Sequence, residues 1–151
     1  MKIKLTLPLI ALGFIGIMGI YFLINPSYEK SIEAKYYYET GDYKEAYSLA
    51  QEAFSMDVYN RMAATIMAQS TIALKYVEYI NQAKKYLADI NKMATQESIS
   101  DPDRARIKLM SEIVTDSYVK LAPSIITDTD LVRQAKKYHD DFEQLLEKVS
   151  K

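Results

Sequence analysis

Twenty residues without a charge, Leu5–Ile24, come near the start of the chain, and after them apolar positions recur at helical spacing. At ~1.5 Å per residue, a helix of that length spans ~30 Å, the hydrocarbon thickness of a bilayer. Asn25-Pro26 punctuates its exit, and Pro suits the first turn of a new helix, where its missing N–H is not needed. A helix is expected from Ser27 to Thr40, with Ile32, Tyr36 and Tyr37 as its apolar side. Gly41-Asp42 ends it, because Gly tolerates the left-handed conformation that closes helices. The next helix is expected over Tyr43–Met56. Ala46, Leu49, Ala50, Ala53 and Phe54 share one face of it, and the alanines let a neighbouring helix come close.

Tyr59–Leu74 is helical in pattern, with Met62, Ala63, Ile66, Met67, Ser70 and Ala73 on one side. Ile80, Ala83, Leu87 and Ile90 then repeat the spacing of Tyr43, Ala46, Ala50 and Ala53, which points to a break near Lys75–Glu78 and a second hairpin. Since no Gly or Pro marks a turn there, one unbroken helix over 58–94 is the competing reading. Ser98–Pro102 is a clear boundary, with Asp101 the expected cap and Pro102 the first helical position. That helix should reach about Leu121, turning Ile107, Met110, Val114, Tyr118 and Leu121 inward, until Ala122-Pro123-Ser124 stops it. Thr127 and Asp130 fit a capping box for a last helix ending near Val149. Its stripe is Leu131, Ala135, Tyr138, Phe142, Leu145 and Val149, which serves core packing in a hairpin or a short seam to a second copy of the chain.

The expectation is an all-α protein: an N-terminal transmembrane helix over 1–25, helical hairpins over 26–95, and a C-terminal hairpin and cap over 96–151. About three antiparallel hairpins would then stack into a solenoid.

The stretch around Gly41 resembles a tetratricopeptide repeat (TPR). Ala34 and Tyr37 match the small and aromatic positions of that motif's first helix. Gly41, Asp42, Tyr43, Glu45, Ala46 and Ala53 match its turn and second helix, and Asp57 and Asn60 its closing positions. The chain departs from the pattern at Lys30, Glu33, Ala50 and Val58, so one repeat of about 34 residues is covered. The resemblance implies that Ala34, Tyr37, Gly41, Tyr43, Ala46, Ala50 and Ala53 pack the repeat. It also implies a concave partner groove lined by Tyr28, Ser31, Lys35, Tyr38 and Glu39.

Charge adds the orientation. Lys2 and Lys4 precede the apolar segment, which places the N-terminus in the cytoplasm and the rest of the chain across the membrane. A cleaved signal peptide would have a shorter apolar core and a small-x-small site, and Tyr21–Pro26 supplies none. Gly13, Gly16 and Gly19 recur in the segment as glycines commonly do in such helices. Net charge is −1 and mixed in sign, without the basic face of a nucleic-acid binder. The absence of Cys removes disulfides, thiolate metal sites and thiol nucleophiles.

Neither an active site nor a cofactor motif stands out. His139 is the sole histidine, and His139-Asp140-Asp141 reads as a solvated helix face before it reads as a metal site. Asp101, Asp103, Asp128 and Asp130 sit at helix starts, where capping explains them. The thirteen tyrosines suit helix interfaces and partner surfaces. Together these readings point to a non-enzymatic scaffold on an inner membrane, whose extracytoplasmic domain holds a protein or peptide of an envelope assembly or secretion machinery. The alternative is a cytosol-facing receptor or adapter of the same layout.

Overall fold

A computed structural model describes residues 3–95, 98–123 and 126–150, leaving aside the side chains of residues 3–7 and 22–23. The described residues are all-α, in six helices: α1 (Ile3–Ile24), α2 (Pro26–Glu39), α3 (Tyr43–Met56), α4 (Arg61–Ala94), α5 (Asp101–Tyr118) and α6 (Thr129–Ser150). They form two compact units, Met1–Thr71 and Ile72–Lys151, so the division falls within α4.

In unit 1, α1 is followed directly by α2. The Asn25 side chain caps α2 by accepting from the Ser27 N–H at 3.0 Å, with Pro26 at the helix start. Among the described residues no single helix is long and apolar enough to cross a membrane by itself, and Pro8–Tyr21 with Pro26–Glu39 passes only as a pair bent by 73°. The expected span includes side chains 5–7 and 22–23, and the orienting residues are Lys2 and the Lys4 side chain; all of these lie outside the described residues.

The corner between α2 and α3 is closed by backbone hydrogen bonds. Gly41 takes a φ of 87°, its N–H donates to Tyr38 O at 3.2 Å, and the Asp42 N–H donates to Tyr37 O at 2.9 Å. This paired arrangement satisfies the last carbonyls of α2 and needs a left-handed residue at its centre. Asp42 then caps α3 by accepting from the Glu45 N–H at 3.2 Å.

Small side chains set the α2–α3 contact. Ala34, Ala46, Ala50 and Ala53 are fully buried, while Leu49 and Ile66 fill the space beside them and Tyr37, Tyr38 and Met67 cover the edge. The Lys30–Glu52 ion pair, at 2.9 Å, ties the two helices at the surface, and the Glu52 carboxylate holds the Lys30 ammonium above its ordinary value.

The expected apolar side of α2 is corrected. Ile32 and Tyr36 are 59% and 63% exposed, and the buried face carries Ser27, Ser31 and Ala34. Closeness to the α3 alanines decides this, because short side chains permit an approach that Ile or Tyr would block. The two hydroxyls find hydrogen bonds within the contact.

The break expected near Lys75–Glu78 is absent, since α4 is one helix of 34 residues. Its buried positions Ala63, Ile66, Ser70, Ala73, Tyr76, Ile80 and Ala83 follow at steps of three or four straight through that region. No Gly or Pro interrupts them, so the spacing that suggested a second hairpin is the continuation of one stripe. The count of about three hairpins falls accordingly.

In unit 2, α5 packs on α6; Ile107, Val114, Leu131, Ala135 and Phe142 are buried there, as are Tyr76, Tyr79 and Ile80 of α4, and the Tyr79 ring of α4 lies 5.8 Å from that of Tyr118 on α5. Ser100, not Asp101, caps α5: its hydroxyl accepts from the Asp103 N–H at 3.3 Å and donates to the Asp103 carboxylate at 2.6 Å. The helix ends at Tyr118, three residues before the expected Leu121. Helix α6 begins at Thr129, where the Asp128 carboxylate accepts from the Asp130 N–H at 2.8 Å. That start is one residue later than a Thr127–Asp130 capping box would set it. Ser124, part of the expected stop between the helices, lies outside the described residues.

Candidate functional site

One concavity on the helical surface of unit 1 depends on where α4 begins. Asn60, fully buried, caps α4: its side-chain oxygen accepts from the Ala63 N–H at 3.1 Å. Its amide nitrogen reaches back to α2, donating toward Ser31 Oγ at 2.7 Å, Ser27 Oγ at 2.8 Å and Ser27 O at 3.2 Å. Two amide hydrogens serve three acceptors, so at least one bond is shared. Ser27 Oγ donates in turn to Ala53 O at 2.8 Å, on α3, and Ser31 Oγ donates to Ser27 O at 2.8 Å. Asn60 thus ties the start of α4 to the first turns of α2, and through Ser27 to α3.

The cavity left between these helices measures about 460 Å³. Lys35, Tyr38 and Glu39 line it from α2; Arg61, Met62, Thr65, Ile66 and Gln69 line it from α4. Ile66 is buried and forms the floor with the partly exposed Met62. Tyr38 meets Tyr43 edge to face at a centroid distance of 5.3 Å, which braces the wall. On the rim, Lys35 and Glu39 lie 3.6 Å apart and neutralise each other, whereas Arg61 has no ion-pair partner among the described residues. The Thr65 hydroxyl is committed to Arg61 O at 2.8 Å. With an apolar floor, an aromatic wall and a free guanidinium, the cavity can hold an apolar side chain and an adjacent carboxylate.

No protein-family model, curated protein or solved structure matches the chain. No comparison identifies a tetratricopeptide-repeat family, and the resemblance rests on the quoted residues alone. Of its packing set, Ala34, Tyr43, Ala46, Ala50 and Ala53 are buried, Tyr37 is half-buried against them, and Gly41 makes the corner.

Of the groove set, Lys35, Tyr38 and Glu39 come together in the cavity. Ser31 is corrected: it is fully buried under Asn60 and has no surface to offer a partner. Tyr28 is half-buried on α2 outside the cavity lining. The α4 wall was not foreseen. Arg61, Thr65 and Gln69 recur every four residues, and Met62 and Ile66 beside them, so a helical plot of 61–69 could have marked a mixed face.

The solvated face expected at His139 is corrected: the imidazole is packed, with its side chain 16% exposed. Ligand atoms of His139, Asp140 and Glu143 lie within 4.8 Å of one another, and Asp141 is not among them. His139 is half-buried, stacked on Tyr118 at 4.2 Å, and its Nε2 stands 3.5 Å from Glu143. The Asp140 carboxylate is taken by the Lys136 ammonium at 2.9 and 3.0 Å. The imidazole reads as a packing element, and Lys136 occupies the place a cation would take.

Proposed function

We propose that the chain is a non-enzymatic, membrane-tethered interaction scaffold. Helix α1 is the tether, and the α2–α4 cavity, next to a TPR-like hairpin, is the seat of a peptide segment from its partner. The observation that carries this reading is the cavity itself. It joins an apolar floor to a cation without an ion-pair partner among the described residues, on a helical frame, as a peptide groove requires.

Support for the tether is physical. Between Leu9 and Tyr21 stand seven further large apolar side chains, and all nine, with Ile24, are between 58% and 75% exposed. A bare apolar surface on that scale calls for lipid or protein cover. On the positive-inside bias the N-terminus is cytoplasmic and the helices after α1 lie beyond an inner membrane. A role beside an envelope assembly or secretion machinery follows from layout alone, by analogy.

Two measurements test the proposal. A reporter fused after Ser150 should be active only where the extracytoplasmic space supports it; activity confined to the cytosol would turn the reading to a cytosol-facing adapter. Arg61→Glu should lower recovery of co-purifying protein while the helical circular-dichroism signal is unchanged, and undiminished recovery would remove the groove.

A further inference from the structure

Unit 2 contains a second cavity, of about 280 Å³, where the end of α4, the start of α5 and the end of α6 converge. Its walls are aliphatic: Ile90 from α4, Ile107 from α5, and Leu145 and Val149 from α6. Only two charged side chains join them, Arg104 and Lys148, and both are cations. Neither has an ion-pair partner among the described residues. The described lining holds no acid and no side-chain hydrogen-bond acceptor, in a chain whose acids outnumber its Lys and Arg by 20 to 19.

We propose that this cavity binds a short aliphatic carboxylate, a medium-chain fatty acid in the anionic form. The chain lies along the Ile90, Ile107, Leu145 and Val149 walls, and the carboxylate accepts from Arg104 and Lys148. Three features select this occupant. The volume sits at the lower edge of the ~300–1,000 Å³ range of ligand cavities, which is room for one short aliphatic chain. A guanidinium and an ammonium together bind a carboxylate through charge-assisted hydrogen bonds and would repel an amine. A peptide would bring amide N–H groups that need acceptors, and the lining side chains have none, so burial would leave those donors unpaired. A fatty carboxylate carries acceptors only, matching the side chains of the described lining, which offer only donors. The site is independent of the α2–α4 groove, since its residues all belong to unit 2.

The test uses the full chain held in a non-ionic amphipol, with ¹³C-labelled isoleucine methyl groups followed by NMR. Sodium octanoate should shift the Ile90 and Ile107 methyls saturably. Octan-1-ol, which keeps the chain and loses the charge, should bind about tenfold more weakly. The double variant Arg104→Gln with Lys148→Gln should lose about tenfold in octanoate affinity and keep its octanol affinity, which also reports that the cavity is still formed. The proposal is overturned by an absence of saturable shifts with octanoate, by octanol binding as tightly as octanoate, or by full octanoate affinity in the double variant. It is also overturned if a peptide with an aliphatic C-terminal residue shifts these methyls and octanoate does not.

Discussion

The side-chain amide of Asn60 lies 2.7 Å from the Ser31 hydroxyl, and both residues are fully buried. This contact sets α4 against α2, because the same asparagine caps α4 and donates into the α2–α3 contact. A buried amide is costly without partners, and here both of its ends are satisfied.

Asn60→Ala should be among the most disruptive single changes in unit 1. It removes a helix cap worth ~1 kcal/mol and strands acceptors in the interior at a further ~1–3 kcal/mol. Ser31→Ala leaves Asn60 with Ser27 and should cost about 1 kcal/mol. Urea denaturation of the two variants measures both values, and equal losses would mean the network is not centred on Asn60.

Gly41 stands at φ 87° with nothing near the place a Cβ would occupy. The cost of a side chain there is therefore one of backbone alone, and Gly41→Ala should destabilise by about 1–2 kcal/mol. Gly41→Asn should cost less, since Asn tolerates the left-handed region. Chemical denaturation of the pair gives the order, and a neutral Gly41→Ala would argue against the corner.

Ala46 and Ala53 have no exposed surface. Ala46→Trp or Ala53→Trp forces α3 away from its neighbours, with an overpacking cost of about 1–3 kcal/mol or more. Thermal melts followed by circular dichroism should show a lowered midpoint for both. A wild-type midpoint in either would contradict the close contact.

Tyr79 predicts a loss of stability at high pH. Burial, with smaller contributions from Tyr118 and Asp140, raises its phenol above the ordinary 10.0. The unfolded chain releases this proton near pH 10 while the folded chain keeps it. The contribution is thus complete below pH 10 and falls as pH climbs from 10 toward the folded value, by up to ~1.4 kcal/mol per pH unit. Its hydroxyl has no hydrogen-bond partner among the described residues, so Tyr79→Phe should be as stable as wild type at neutral pH or about 1 kcal/mol more so. The variant should also lose less stability in alkali, with the raised Tyr76 phenol accounting for part of what remains. Urea titrations at pH 8 and pH 11 compare the two proteins, and parallel losses would refute the assignment.

The α2–α3 hairpin was legible because its signals are local: a Gly-Asp corner, a capping Asp and alanines at helical spacing. The inward face of α2 was not. Counting Ile32 and Tyr36 as core assumes that large apolar residues go inside, but a close helix contact selects Ser27, Ser31 and Ala34 by size. Periodicity also misled at Lys75–Glu78, because a repeated spacing is equally the signature of one long stripe. Lys35, Tyr38 and Glu39 could be named in advance as one wall of the cavity. The facing wall depends on where Asn60 starts α4, a long-range hydrogen-bonding result that no local pattern carries.

The most direct test of the account places a photo-crosslinking amino acid at Thr65, inside the cavity, and at Gln51, exposed on α3 and outside it, in the full chain within native membranes. The account predicts a discrete higher-mass adduct from Thr65, weakened by Arg61→Glu and absent from Gln51. No adduct from Thr65, or the same adducts from both positions, would contradict it.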